Sequence, residues 1–448
     1  NRFIQTAMHV GLDEDDGSIS TLYRDFLVTR AKGGAALITV GGAYPHISGR
    51  GFFKQMGADK DEFIPGWKAL VDEIHAAGAK AMLQFMHVGR YSFPEILGTQ
   101  PVAPSAIAPR IPRGTPRELT TQEVRDMVQA FASAAVRAKA AGFDAVELSA
   151  STGYLIASFL SPYSNHRADE YGGDLAGRAR FLVEIIRAIK EKTGGDFPLL
   201  ARMNADDLLP GEGNTVEDNI RLTQMAAEAG ADALSLTIGW HESRIPAVTM
   251  DVPIGNWTEL SKRFKKLLKV PVIMAYQLTT PESAAEALRE GAVDFVGMAR
   301  PLIADPELPK KIQEGRLEDI TPCVLCNTCF EKIFAHEPVR CTVNTAAAQE
   351  AAFAIHPAAK SKRVMVVGGG PAGLEAARVA ALRGHKVTLY EQSDSLGGQL
   401  ALASIPPFRH RLAEAYKYLA IQARKAGARI IMNQAVTAEL VEREKPDA

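Results

Sequence analysis

Up to about residue 320 the chain alternates between two hydrophobic patterns. Short apolar or β-branched runs are each followed by a longer stretch whose apolar positions recur at helical spacing. The runs Phe3–Met8, Ala35–Val40, Ala79–Met86, Asp144–Leu148, Leu199–Arg202, Ala233–Thr237, Val272–Ala275 and Phe295–Gly297 read as strands. The stretches Ser20–Ala31, Gly66–Ala77, Thr121–Ala141, Gly177–Thr193, Val216–Ala229, Glu259–Leu268, Pro281–Glu290 and Pro306–Glu314 read as helices. Strict alternation predicts a parallel sheet, because parallel strands need a crossover and the crossover is usually a helix. Eight such pairs suggest closure into an α/β (β/α)8 TIM barrel, in which the chemistry belongs on the loops leaving the C-terminal ends of the strands. Gln84, His87, Tyr154, Arg202, His241 and Arg300 all fall there.

The pattern breaks after the barrel. "CVLCNTCFEKIFAHEPVRC" gathers every cysteine of the chain: Cys323, Cys326 and Cys329 at three-residue steps, then Cys341. The segment spans about residues 321–345. An Ala-rich stretch, 346–362, reads as a linker. From 363 to 448 the pattern restarts as strand, Gly-rich turn, helix and strand in "RVMVVGGGPAGLEAARVAALRGHKVTLYEQ", a Rossmann-like module. One further strand is expected in "ARIIMNQAV". Such a module is not complete at residue 448, which suggests a C-terminal truncation; the chain also begins without Met.

Composition narrows the class. Apolar residues make up 46% and charged residues 23% of 448, with a formal net charge of -1, a balance that gives no attraction to nucleic acid and is compatible with an oligomer. No apolar stretch reaches the ~20 residues a bilayer requires and no signal peptide is visible, so a cytoplasmic location is expected. The one basic run, "KRFKKLLK", reads as a solvated helix face, with an anionic-ligand or membrane patch as the alternative.

Three thiolates at three-residue intervals converge on one small inorganic core from a compact turn, and a distant fourth closes the last corner, which favours a 4Fe-4S cluster. Zinc is the competing reading, although all-cysteine zinc sites usually present two separated pairs; disulfides are the third. Gly368, Gly370 and Gly373 form GxGxxG between strand and helix, where glycines admit a pyrophosphate to the helix N-terminus. Glu391 ends the second strand, placed to accept from an adenosine ribose. "LGGQL", with Gly398 and Gln399, leans toward FAD.

"NRFIQTAMHVGL", "LQFMHVGRYS", "GYLIASFLSPYSNHRADEYGGD", "GWHESRIP" and "GMARPLIADPEL" resemble the flavin-dependent old yellow enzyme barrels. With the cysteine run and the GxGxxG module after them, they are most similar to the bacterial 2,4-dienoyl-CoA reductases. That resemblance implies FMN in the barrel, the cluster at its edge, FAD in the next domain and NAD(P)H as reductant. It implies FMN contacts at Ala7, Met8, Gly41, Gln84, Arg202, Ala299 and Arg300, with Tyr154 as proton donor and His241 assisting it. The chemistry agrees: an amide both donates to and accepts from a flavin's pyrimidine edge, and a fixed cation such as Arg202 stabilises the reduced ring. Electrons would pass from FAD through the cluster to FMN and on to an unsaturated acyl-CoA. Departures from the family pattern are Ser149 and Thr152 where simpler members carry a carbonyl-gripping pair, Ala7 for a proline, and Gln277 for an arginine near the FMN phosphate. The rivals are an amine dehydrogenase, against which speaks the lack of an obvious bowl of aromatics on these loops, and a non-catalytic electron-transfer protein.

Overall fold

The structure, a computed structural model, describes residues 1–111 and 114–448. Eight parallel strands close into a barrel in sequential order: β1 (Phe3–Gln5), β2 (Leu37–Ala43), β3 (Lys80–Phe85), β4 (Ala145–Ala150), β5 (Leu199–Asp206), β6 (Ala233–Ile238), β7 (Val272–Met274) and β8 (Phe295–Met298), which pairs back with β1. The helices between them are α1 (Thr21–Lys32), α2 (Ile64–Ala76), α3 (Thr121–Ala140), α4 (Leu175–Thr193), α5 (Val216–Ala229), α6 (Thr258–Leu267), α7 (Pro281–Arg289) and, after β8, α8 (Leu308–Gln313).

Helix α3 shows why the pattern folds this way. Thr120 and Glu123 form a reciprocal capping box at its start, while Val124, Met127, Val128, Phe131, Ala135 and Ala138 make one buried stripe. Each large apolar side chain of such a stripe contributes roughly 1.5–3 kcal/mol on burial. The basic run lies on α6, where Phe264 is fully buried and Lys262 and Lys265 pair with Glu290 and Asp294. It is a solvated, ion-paired helix face.

Three strand ends differ from expectation by three residues or more. β1 stops at Gln5, so Thr6, Ala7 and Met8 leave the ladder after Thr6 donates its N–H to Met298 O at 3.0 Å. β2 and β5 run on to Ala43 and Asp206. After β8 a short helix, Arg300–Ala304, comes first, begun by Pro301 and ended at Asp305. A buried helix, Leu155–Leu160, follows Tyr154.

The cysteine segment lies over the C-terminal end of the barrel. Val339 N–H donates to Val10 O, and Asn344 donates to Ile303 O, both at 3.0 Å. Its helix α9 spans Thr328–Phe334. The Ala-rich stretch beyond it is anchored at its start: Ala347 and Ala348 enter the barrel's apolar core, and Glu350 pairs with the fully buried Arg30 at 2.9 Å. A second parallel sheet then orders β9 (Arg363–Val367), β10 (Lys386–Tyr390) and β11 (Arg429–Ile431), with α10 (Pro371–Leu382), α11 (Gly398–Ala403) and α12 (Leu412–Lys425) among them. Arg411 donates to Cys323 O at 2.8 Å and Lys425 pairs with Asp319 at 2.8 Å, joining this module to the segment before it. Among the described residues no helix is long and apolar enough to cross a membrane.

Candidate active site

The loops at the C-terminal strand ends enclose a cavity of about 220 Å³. Ala7, Met8, Gln84, Arg202, Ala299 and Arg300 line it, together with Tyr154, His241, Ser149 and Thr152. Gly41 does not. It is packed behind the wall, its N–H donating to the Tyr23 hydroxyl at 3.1 Å, and Gly42 takes the lining position. A Cβ on Gly42 would stand 2.4 Å from Met86 Cβ and 3.1 Å from Gln84 Oε1, so the cavity edge requires a bare backbone there.

The wall suits a flavin. Among the described residues no carboxylate lines it, while two guanidinium groups do. Arg202 has the Tyr276 hydroxyl as a partner. Arg300, 9% exposed, donates to Val248 O at 2.7 Å and Asn327 Oδ1 at 2.6 Å. The Thr6 hydroxyl is buried without a hydrogen-bond partner on the same wall, a polar group that a ligand would satisfy. Gln84 donates its Nε2 to Glu147 Oε1 at 2.5 Å, and its carbonyl oxygen is left for the cavity. Gln277, by contrast, is spent on the protein: fully buried, it donates to Thr249 O and Val252 O at 3.0 Å each and does not line the cavity. Arg300 is a cation on this wall that could hold a phosphate in place of the arginine expected at Gln277.

Tyr154 and His241 meet. The phenol oxygen lies 3.0 Å from His241 Nε2, with ring centroids 5.2 Å apart. Burial pushes the Tyr154 pKa above the usual phenol range, so the hydroxyl holds its proton at neutral pH. Glu242, the next residue, is buried and accepts from Arg90 (3.0 Å), the Tyr91 hydroxyl (2.5 Å), the Tyr163 hydroxyl (2.9 Å) and the Arg110 N–H (2.6 Å). These bonds fasten the loop that carries His241 to the loops after β3 and β4. His87 is not on the cavity wall. It braces the loop after β3, with Nδ1 accepting from Gly89 N–H and Nε2 facing Ser48 Oγ, each at 3.1 Å.

The bowl of aromatics that was not evident in the sequence is present in three dimensions. Phe52, Tyr154, Tyr276, His241, Phe330 and Phe334 all line the cavity, drawn from separate loops and from α9. Apart from Phe330 and Phe334, one turn apart on α9, they are far apart in sequence, and barrel closure brings them together.

Cys323, Cys326, Cys329 and Cys341 surround one small cavity, which Arg300 also lines; Cys329 belongs to the wall of the larger cavity too. Among the described residues no three His, Cys, Asp or Glu side chains gather tightly enough for a single metal ion. Four thiols around one small space are the donor set of a 4Fe-4S core and also of an all-cysteine zinc site.

In the second module, Gly370 is the N-cap of α10, and a Cβ on Gly373 would lie 2.0 Å from Gly368 O, so helix and turn pack backbone to backbone. Added Cβ atoms on Gly368 and Gly370 meet nothing within 4 Å, leaving the helix N-terminus open to a phosphate. Glu391 is already engaged: it accepts from Ser393 Oγ (2.5 Å) and N–H (2.9 Å) and from Gly369 N–H (2.7 Å), contacts that lower its pKa. Its remaining lone pairs are what a ribose would meet. Gly398 and Gln399 open α11 and are exposed, with Gly398 beside Gly370.

Comparison with known proteins agrees with both halves. Residues 1–319 match the NADH:flavin oxidoreductase / NADH oxidase family, and residues 363–445 match the FAD dependent oxidoreductases. The chain is 42% identical to a metal reductase of Desulforamulus reducens over 98% of its own length and 65% of that protein. It superposes on a 2-naphthoyl-CoA reductase in complex with 2-naphthoyl-CoA with a TM-score of 0.97 at 41% identity, covering 100% of this chain and 70% of the other. On histamine dehydrogenase from Rhizobium sp. 4-9 the TM-score is 0.90 at 31% identity, covering 98% and 65%. The chain spans about two thirds of the length of these relatives. A closed barrel carrying the flavin-type wall, followed by a glycine-turn module, places the chain in the NADH:flavin oxidoreductase / NADH oxidase family, the old yellow enzyme-like oxidoreductases, here with an FAD dependent oxidoreductase domain behind the barrel.

Proposed function

We propose that this chain serves the NAD(P)H-dependent reduction of a conjugated acyl-CoA thioester, with FMN in the barrel cavity, a 4Fe-4S cluster on Cys323, Cys326, Cys329 and Cys341, and FAD on the glycine turn of the second module. The observation that carries it is the Tyr154 hydroxyl, 3.0 Å from His241 on the wall of a cavity that also holds Arg202 and Gln84. When bound, flavins and cluster supply two-electron and one-electron transfer. The protein's own groups do the rest. Arg202 offers fixed positive charge at the cavity floor, and Arg300 offers a guanidinium to a phosphate. Tyr154 delivers a proton to the carbon that becomes basic as the double bond is reduced, and His241 orients and reprotonates it. Phe52, Phe330 and Phe334 give a flat conjugated acyl group apolar surface and exclude water. Ser149 and Thr152 leave room where simpler barrels place their carbonyl grip.

An amine dehydrogenase is the second reading, favoured by the aromatic lining. Against it stand the two arginines and the lack of a lining carboxylate among the described residues, a poor field for a cationic amine.

Rapid mixing of dithionite-reduced protein with 2-naphthoyl-CoA and with a 2,4-dienoyl-CoA, followed by flavin absorbance, tests the proposal. Reoxidation by a thioester, slowed about 10²–10⁴-fold in Tyr154→Phe, is the expected result. No reoxidation by either thioester, together with reduction of the oxidised protein by histamine or trimethylamine, overturns it. Iron and sulfide analysis of anaerobically purified protein checks the cluster.

A further inference from the structure

The Gln84 side chain lines the cavity, but its orientation is set by a residue that does not. Gln84 on β3 and Glu147 on β4 stand opposite one another in the strand register and are 4% and 3% exposed. Gln84 Nε2 donates to Glu147 Oε1 at 2.5 Å. An amide presents a donor on one side and an acceptor on the other, whereas an ionised carboxylate only accepts. The contact therefore commits the NH2 group to the barrel interior and turns Oε1 toward Gly42 at the cavity edge. Alone, Gln84 is ambivalent. With Glu147 behind it, the oxygen is the atom turned to the cavity edge. Burial raises the Glu147 pKa above the usual carboxylate range, while Arg202, whose backbone pairs with Ser149 two residues along the same strand, and the Gln84 amide act the other way, toward the ionised form that accepts from Gln84.

We propose that Glu147 is a positioning residue that fixes the Gln84 amide as a hydrogen-bond acceptor, so that the cavity recognises a ring presenting an N–H at that edge, as the imide of a flavin does. The inference rests on the flavin reading of the cavity and adds a sense of polarity to it. An imide N–H held by an acceptor gives up its proton less readily than one in water, whereas an amide free to turn over and donate favours the deprotonated ring.

The test is an alkaline titration of the flavin-loaded full chain, following the visible spectrum of the oxidised flavin as its imide deprotonates. In the wild-type chain the midpoint should lie above that of free FMN. In Glu147→Gln, whose own amide can donate to Gln84 Oε1 and release it to rotate, the midpoint should fall by at least one pH unit. An unchanged midpoint in the variant overturns the inference, because a merely structural Glu147 would alter flavin retention without moving it. Should Glu147→Gln fail to fold, Glu147→Asp, which draws the carboxylate back by one methylene, is read in the same way: a fall supports the inference and no change overturns it. A wild-type chain that binds no FMN would instead overturn the flavin reading itself.

Discussion

The residues of the candidate site are of two kinds, and sequence reasoning reaches only the first. Gln84, Tyr154, Arg202, His241 and Arg300 were legible because they lie on or just beyond the strands of a recognisable barrel, in motifs that resemble a known family, and the structure brings them onto one wall. Glu147 and Glu242 were not. A carboxylate inside "AVELSA" or beside a loop histidine looks like any solvated charge until its partners, 63 and up to 152 residues away, are folded against it. His87 was ambiguous for the same reason, and its burial has a measurable consequence. Burial, reinforced by the neighbouring His46, lowers its pKa from 6.5 to about 3. Between those values the unfolded chain holds a proton that the folded chain refuses. The stability tied to neutral His87 is thus complete above pH ~6.5 and is lost as pH falls toward 3, at up to about 1.4 kcal/mol per pH unit. Urea unfolding midpoints should drop on acidification below pH ~6.5, and His87→Asn should drop less steeply.

Elements were read more reliably than single residues, because a helical or alternating stripe is averaged over many positions. All eight barrel strands and their helices lie where the periodicity predicts them. The deviations fall where the chain leaves a ladder to build the cavity. β1 stops short so that Thr6, Ala7 and Met8 can turn across it, and the apolar run "LIASFL" becomes a buried helix with no polar face to announce it. The end of β2 is the most exacting of these places, because Gly42 abuts both Met86 and the Gln84 carbonyl. Gly42→Ala, whose Cβ would stand 2.4 Å from the buried Met86 Cβ, should lower the unfolding midpoint through a loss of about 1–3 kcal/mol of stability and weaken FMN binding at least tenfold, as measured by fluorescence quenching below that midpoint. Unchanged affinity would show that the cofactor does not approach this backbone.

At the scale of the whole molecule, the three segments seen in sequence are less separate than their patterns suggest. The Ala-rich stretch looks like a spacer because small residues carry no periodic signal, but its first residues close the barrel's outer core. Glu350 there is the ion-pair partner of a fully buried Arg30, whose ring contact with Phe26 and bonds to backbone carbonyls hold it in place. Removing one member of a buried pair costs about 3–5 kcal/mol, whereas replacing both by neutral groups of similar size can cost little. Glu350→Gln should therefore lower the thermal midpoint clearly, and Arg30→Met with Glu350→Gln should recover much of the loss; equal melting of all three proteins would show that the pair contributes nothing. Helix α9 makes the closest join of all, since Cys329 stands beside Phe330, Ile333 and Phe334, and all four face the barrel cavity. Under the proposed function, a sulfur donor and the surface that greets the incoming molecule would ride on the same two turns of backbone, so a change in selectivity made there would tug on the wiring as well.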